Sequence, residues 1–207
     1  EDTQGEVDWF QRDYLARTYS SEDHEFLKAP VLKRITLWTI GHSTRSLSEF
    51  VAILQAHNVE LLVDVRTVPR SRHNPQFNKE SLPAELARFS LEYLHMAGLG
   101  GLRRPLKDSQ NLGWRNASFR GFADYMQTPE FEKSIGELIE LAGERDTAIM
   151  CAESVPWRCH RSLIADALTV RKVKVEHLLS VKSIRSHEVT PFAEVRGRRI
   201  TYPAEAD

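Results

Sequence analysis

Residues 147–161 read Thr147-Ala148-Ile149-Met150-Cys151-Ala152-Glu153-Ser154-Val155-Pro156-Trp157-Arg158-Cys159-His160-Arg161. The first five residues have the apolar, β-branched character of a buried strand that ends at Cys151. A loop turns through Pro156, and helical spacing follows from Ser162 to Val170. A strand that feeds a loop and then a helix is half of a βαβ unit, and the flanking segments repeat the pattern.

Upstream, Leu37-Trp38-Thr39-Ile40 predicts a short strand ending at Gly41. Ser46-Leu47-Ser48-Glu49 is a capping box that opens a helix through Phe50, Ile53 and Leu54. Leu61 to Val65 reads as a buried strand, Pro83 to Phe89 as a helix, and Leu91 to Met96 as another strand. Thr128-Pro129 supplies an N-cap and a first-turn proline for a helix through Phe131, Ile135, Leu138 and Leu141. Downstream, Val173 to Leu179 is the last core strand. The tail from Val189 to Tyr202 has strand-like stretches around Arg196-Gly197, a closing hairpin. Strands alternating with helices predict an α/β fold: a Rossmann-like three-layer sandwich with a mostly parallel sheet and right-handed crossovers. An N-terminal arm and the C-terminal hairpin are added to it. The expected domain spans residues 31–207, and residues 1–30 form an acidic extension whose Val7, Phe10 and Tyr14 suit one face of a short helix.

The chain has 207 residues, 41% hydrophobic and 28% charged, enough for one full core and too few for two. No run approaches the ~18 apolar residues of a membrane helix, so no membrane partner is expected. No basic segment followed by an apolar run opens the chain, so no signal peptide is read there. A start at Glu1 rather than Met is what a trimmed product gives. Two cysteines eight residues apart are not a disulfide framework and point to a cytoplasmic location. Net charge is −1, but residues 1–30 carry eight acidic and three basic side chains, leaving the rest at about +4. That is too little bulk basicity for a dedicated DNA-binding domain. The acidic arm suits a protein partner.

In open parallel sheets, ligands sit beyond the carboxyl ends of the strands. The residues that follow the predicted strands are Gly41-His42-Ser43-Thr44, Asp64-Val65-Arg66, His95 and Cys151-Ala152-Glu153. Cys159, His160 and Arg161 lie at a helix start, where free N–H groups stabilise a thiolate or an anion. Cys151 or Cys159 is the candidate nucleophile, with His160, Glu153 or His42 to handle protons. Arg66, Arg70 and Arg72, with Arg158 and Arg161, suit phosphate or carboxylate recognition. Ser43 and Thr44 add hydroxyls to that anion site. Asp64 is placed to orient Arg66 or to act as an acid, base or ligand. Trp114, in a long polar loop, offers a face for a base. The plainer reading of Cys151 and Cys159 is two small buried residues in a tight turn.

Strand, loop and thiol together resemble the anion cradles of rhodaneses and cysteine phosphatases, although the phosphatase Cys-x5-Arg spacing would need arginine at 157, which is Trp157. The wider set of motifs is Thr39-Ile40-Gly41-His42-Ser43-Thr44, Asp64-Val65-Arg66-x-x-Pro69-x-Ser71-Arg72, Leu99-Gly100-Gly101, Phe122-x-x-Tyr125-Met126 and Cys151-Ala152-Glu153…Cys159-His160-Arg161. It resembles the domain of unknown function 488 family over roughly residues 36–180. The resemblance implies an α/β domain in bacteria or archaea and no settled activity.

Three functions follow as expectations. The first is an enzyme acting on a phosphate-bearing substrate, a nucleotide or nucleic acid, through a cysteine. The second is a module that binds nucleic acid or a phospho-ligand without chemistry, using 66–73, 103–104 and 158–161. The third is metal-dependent chemistry at Cys151, Cys159 and His160, with Glu153, His42 or His95 as further ligands. Against that third reading, the seven-residue gap matches no zinc-knuckle spacing. Adjacent Cys159 and His160 are also expected to point in different directions. The sequence names no cofactor.

Overall fold

The first strand, β1 (Thr36–Gly41), lies near the middle of a six-stranded sheet in this computed structural model, which describes residues 35–204. The expected helix around Val7, Phe10 and Tyr14 lies outside the described residues. Strands β2 (Leu61–Asp64), β3 (Glu92–His95), β4 (Thr147–Cys151) and β5 (Lys174–Ser180) run parallel to β1. An antiparallel edge strand, β6 (Ser183–Ser186), completes the order β3-β2-β4-β1-β5-β6. Strands β7 (Glu194–Arg196) and β8 (Arg199–Thr201) form the separate hairpin, turning at Gly197 with φ of 61°. The expected α/β sandwich with a closing hairpin is the observed architecture.

Helices α1 (Leu47–Ala56) and α2 (Leu82–Ala87) cover one sheet face. Their Phe50, Ile53, Leu54, Leu82 and Leu86 pack with Ile40, Leu62, Ala148 and Met150. Helices α3 (Ala117–Tyr125), α4 (Pro129–Glu144) and α5 (Arg161–Val170) cover the other, against Leu37, Val63, Ile149 and Val175. Alternate strand residues therefore feed opposite layers, as the pleat requires. Each buried Leu, Ile or Phe contributes roughly 1.5–3 kcal/mol to that packing.

Local chemistry explains the helix starts. Ser46 accepts from the Glu49 amide, and Thr128 accepts from Phe131 with Pro129 at the first helical position. Along α4, Phe131, Ile135, Leu138 and Ala142 are buried, a stripe at helical spacing. Two elements differ from expectation. Helix α3 stands where a long polar loop was read, because Asn116 caps it by accepting from the Ser118 and Phe119 amides. Strand β6 is exposed along its whole length, so no apolar alternation marks it.

Gly41 closes β1 where backbone meets backbone. A Cβ there would lie 1.8 Å from the Glu153 carbonyl oxygen. The end of β1 and the loop after β4 can touch only because residue 41 has no side chain.

Candidate functional site

Strands β1 and β4 are neighbours, yet their outgoing helices α1 and α5 leave to opposite faces of the sheet. Such a switch point opens a crevice beyond the strand ends. A cavity of about 550 Å³ occupies it. Past the strand ends the backbone ladder continues, with His42 N–H donating to Cys151 at 3.0 Å and Ser43 N–H to Ala152 at 2.9 Å. Ser43, Thr44 and His42 enter the wall from β1, Arg66 and Arg70 from β2, and Glu153 and Arg158 from the loop after β4.

Cys151, Cys159 and His160 form the floor and are nearly fully buried. Their ligand atoms lie within 4.8 Å of one another, and His160 Nδ1 is 3.9 Å from the Cys151 sulfur and 3.7 Å from that of Cys159. The expectation that Cys159 and His160 diverge is therefore corrected. The backbone between the short helix Pro156–Arg158 and α5 turns both side chains inward. His160 Nε2 faces two carbonyl oxygens, Val65 at 3.1 Å and Leu99 at 3.0 Å. Only an N–H satisfies two acceptors, so in the neutral ring the Nδ1 lone pair points at the sulfurs. The ring is held between the Gly101 backbone, where a Cβ would come within 2.4 Å of Nδ1, and Phe122 at a 5.1 Å centroid distance.

Arg161 is 1% exposed and heads the fully buried side chains by volume. It donates from Nε to the Cys159 sulfur at 3.4 Å, and from its other nitrogens to Thr39 Oγ1 and the Glu153 carbonyl. It lies behind the floor rather than in the cavity, which differs from its expected place among the anion-binding arginines. No carboxylate pairs with it among the described residues, and the Cys159 sulfur is the group placed to balance its charge as a thiolate. At an effective dielectric of about 20, unit charges that close attract by about 5 kcal/mol. This exceeds the roughly 2 kcal/mol between an ordinary thiol and its thiolate at neutral pH. Burial pushes the Cys159 thiol up, but the Cys151 hydrogen bond and the Arg161 charge outweigh it and hold Cys159 well below the usual range. Cys151 moves the opposite way because it is hydrogen-bonded to Cys159, buried, and beside that negative charge.

Asp64 is sealed from solvent. It accepts from Arg66 Nε at 2.9 Å and Nη2 at 2.5 Å, and from the Tyr93 hydroxyl at 2.8 Å. Of its expected roles, orienting Arg66 is the one its contacts serve. His42 donates from Nδ1 to the Ser43 carbonyl and accepts from Arg66 Nη1 at 3.2 Å, while stacking on Phe77. Burial, helped by the Arg66 charge, brings His42 down to about 4 against the Ser43 bond. A ring lowered to that value is neutral at pH 7, and its Nε2 helps to hold Arg66.

Three expected members lie elsewhere. His95 bonds the Arg66 carbonyl at 2.9 Å but lines a different cavity, with Glu137 and Glu140. Arg72 is exposed and outside the cavity wall. Trp114 packs among Phe119, Phe192 and Tyr202, so it is a packing anchor rather than a free stacking face.

A polar chain behind the floor was not foreseen. Thr39 bonds His177 at 2.8 Å, His177 bonds His187 at 3.0 Å, and His187 bonds Asp166 at 2.8 Å. Asp166 also accepts from the Thr190 and Tyr202 hydroxyls. Arg161 thus rests on a bonded column that reaches the tail after β6. The available signal was His177 in alternation with Val175, which puts a polar side chain on an inward-facing position of β5.

These buried imidazoles set an acid limit. Burial, then the His187 and Arg161 charges, lowers His177 to about 3, and His42 stands at about 4. Both lie below the unfolded value of about 6.5, so their contribution is intact above it and fades as pH falls toward the folded values. Around pH 5, unfolding should take up nearly two protons, a slope of up to roughly 2.5 kcal/mol per pH unit that lessens toward pH 6 and pH 4. Urea midpoints across that range check it, and His177→Gln should remove about half the slope.

Fold and site together define a doubly wound α/β protein with a cysteine–histidine cluster at its switch point. The chain belongs to the family described as domain of unknown function DUF488, whose profile matches residues 46–168, more than half of its length. Comparison with curated proteins and with solved structures gives no match. The matched range holds Asp64, Arg66 and the whole Cys151–Arg161 segment; His42, Ser43 and Thr44 precede it. Among the described residues, no helix is long and apolar enough to cross a membrane.

Proposed function

We propose that the chain is an enzyme acting on a phosphate-bearing substrate, a nucleotide or a nucleic acid, with the Cys151–Cys159–His160 cluster as its reaction centre. The observation that carries this is Arg161, a buried guanidinium that donates to the Cys159 sulfur and has no carboxylate partner among the described residues. An ionised sulfur at the floor of an arginine-walled cavity is a reactive arrangement. Above it, Arg66 is fixed by Asp64 and His42, Arg158 is exposed without a carboxylate partner among the described residues, and Arg70 shares its charge with Glu80 at 3.3 Å. Ser43, Thr44, Ser71 and Asn74 add neutral polar groups suited to phosphate oxygens. Glu153, exposed at the rim, is the group available to exchange protons with a leaving oxygen. A cytoplasmic location fits two free cysteines.

Removal of one charge-assisted hydrogen bond costs about 1.5–3 kcal/mol. Arg158→Ala should therefore weaken nucleotide or oligonucleotide binding by about tenfold or more, and wild-type affinity should fall with added salt. Calorimetric titration at two salt concentrations checks this. Unchanged affinity in the variant would remove Arg158 from the site. Binding that persists with no turnover in the wild type would favour the non-catalytic module.

A further inference from the structure

The geometry points to a metal site: Cys151, Cys159 and His160 form a three-ligand seat for a thiophilic divalent cation of the zinc class, with its fourth position open to the cavity. The inference rests on reading this cluster as the reaction centre and names what the cluster holds.

Ligand spacing is the first support. Zinc bonds of about 2.3 Å to sulfur and about 2.0–2.1 Å to nitrogen, arranged tetrahedrally, place sulfur and nitrogen ligands about 3.6 Å apart. The observed separations are 3.9 and 3.7 Å, and all three atoms lie within 4.8 Å of one another. The two sulfur–nitrogen sides need a contraction of at most a few tenths of an ångström, and the sulfur–sulfur side at most about 1 Å to reach the about 3.8 Å of two zinc-bound thiolates.

The tautomer is the second. A coordinating imidazole presents one lone pair and donates its other N–H to a fixed acceptor, which sets the ring plane. Here Nε2–H is taken by the Val65 and Leu99 carbonyls, leaving Nδ1 aimed at both sulfurs. The ring cannot swing away, because Gly101 and Phe122 close its faces.

Charge is the third. A divalent cation with two thiolates is neutral, and the Arg161 donor on Cys159 is the outer-shell hydrogen bond that a metal thiolate commonly carries. The fourth position faces the cavity, since all three ligands line it. Three protein ligands with one open place is the arrangement of catalytic rather than structural zinc. Bound there, the ion would supply a Lewis-acidic position for water or a phosphate oxygen. Glu153 and His42, entertained as further ligands, are not needed: Glu153 is exposed at the rim and His42 is committed to Ser43 and Arg66.

The test uses the full chain, freed of metal by chelator and titrated with zinc against a chromogenic chelator, then with cobalt(II) for its absorption spectrum. About one equivalent should bind, and the cobalt form should show sulfur-to-metal charge transfer with tetrahedral ligand-field bands. Cys151→Ser, Cys159→Ser and His160→Ala should each weaken zinc by more than about a hundredfold, because even outer-shell losses cost up to that much. Arg158→Ala, in the cavity wall, should leave zinc affinity unchanged. No bound zinc in the wild type, or zinc affinity unaltered by Cys159→Ser, overturns the site. If turnover then still depends on Cys159, the reaction-centre reading survives without the metal. Stoichiometric zinc without any turnover would keep the site and remove the enzyme.

Discussion

Replacing Asp64 with alanine is expected to destabilise the protein by about 3–5 kcal/mol, the usual cost of leaving one partner of a buried ion pair alone. Arg66 is 5% exposed and its guanidinium is held by both Asp64 carboxylate oxygens. Without them the charge stays buried beside His42 and the Phe77 carbonyl, neither of which is anionic. For a domain of this size that corresponds to roughly 10 °C in melting temperature. Substrate affinity should fall as well, because Arg66 then loses the Asp64 contacts that aim it at the cavity. The contrast is Arg70→Ala, whose exposed pair with Glu80 should change stability by less than about 1 kcal/mol. Thermal unfolding of the two variants side by side checks the ranking. Equal losses would mean that burial of the Asp64–Arg66 pair does not govern its energetics.

The second large effect belongs to a residue with no side chain. Gly101→Val places a Cβ 2.4 Å from His160 Nδ1 and 2.5 Å from its Cγ, so the ring must move. Overpacking of this kind costs about 1–3 kcal/mol, which the fold should survive. The reaction centre should not, since a displacement near 1 Å costs about a hundredfold in rate. Circular dichroism close to wild type with turnover reduced a hundredfold or more is the expected pair of results. Full turnover in a folded Gly101→Val protein would show that His160 need not hold its position.

Much of this architecture was legible because it rests on local rules. Ser46 and Thr128 cap helices wherever they precede an apolar stripe, and strands such as Leu61–Asp64, buried on both faces, read as short apolar runs. The crevice was legible for the same reason: placing residues at strand ends needs only topology, and His42, Arg66 and Cys151 do meet there. Strand β6 was not, because an exposed edge bonded through its backbone leaves no side-chain pattern. Helix α3 was missed because Asn116 and the small residues after it look like loop.

Orientation was the harder quantity. Arg161 and Arg158 are both arginines of one loop–helix junction, yet one is buried against Cys159 and Thr39 and the other stands in the cavity wall. Sequence places a Cα; burial and hydrogen bonding decide where the guanidinium goes. Cys159 and His160 show the same limit in reverse. Neighbours in an extended strand would diverge, but Cys159 sits at φ −136°, ψ 145° and His160 at φ −57°, ψ −12°, and that turn brings both onto one point. Of the Thr39–His177–His187–Asp166 column only His177 left a sign in the sequence, because its members come from two strands, a helix and the segment after β6.

The most direct test of the central claim is turnover of a panel of phosphate esters, nucleotides and oligonucleotides by the wild type and by Cys159→Ser, with substrate binding measured in parallel. The wild type should turn over at least one class, and Cys159→Ser should lose about a thousandfold or more of that turnover with nearly unchanged binding. Undiminished turnover by Cys159→Ser, or no turnover of any phosphate-bearing compound by the wild type, would contradict that claim.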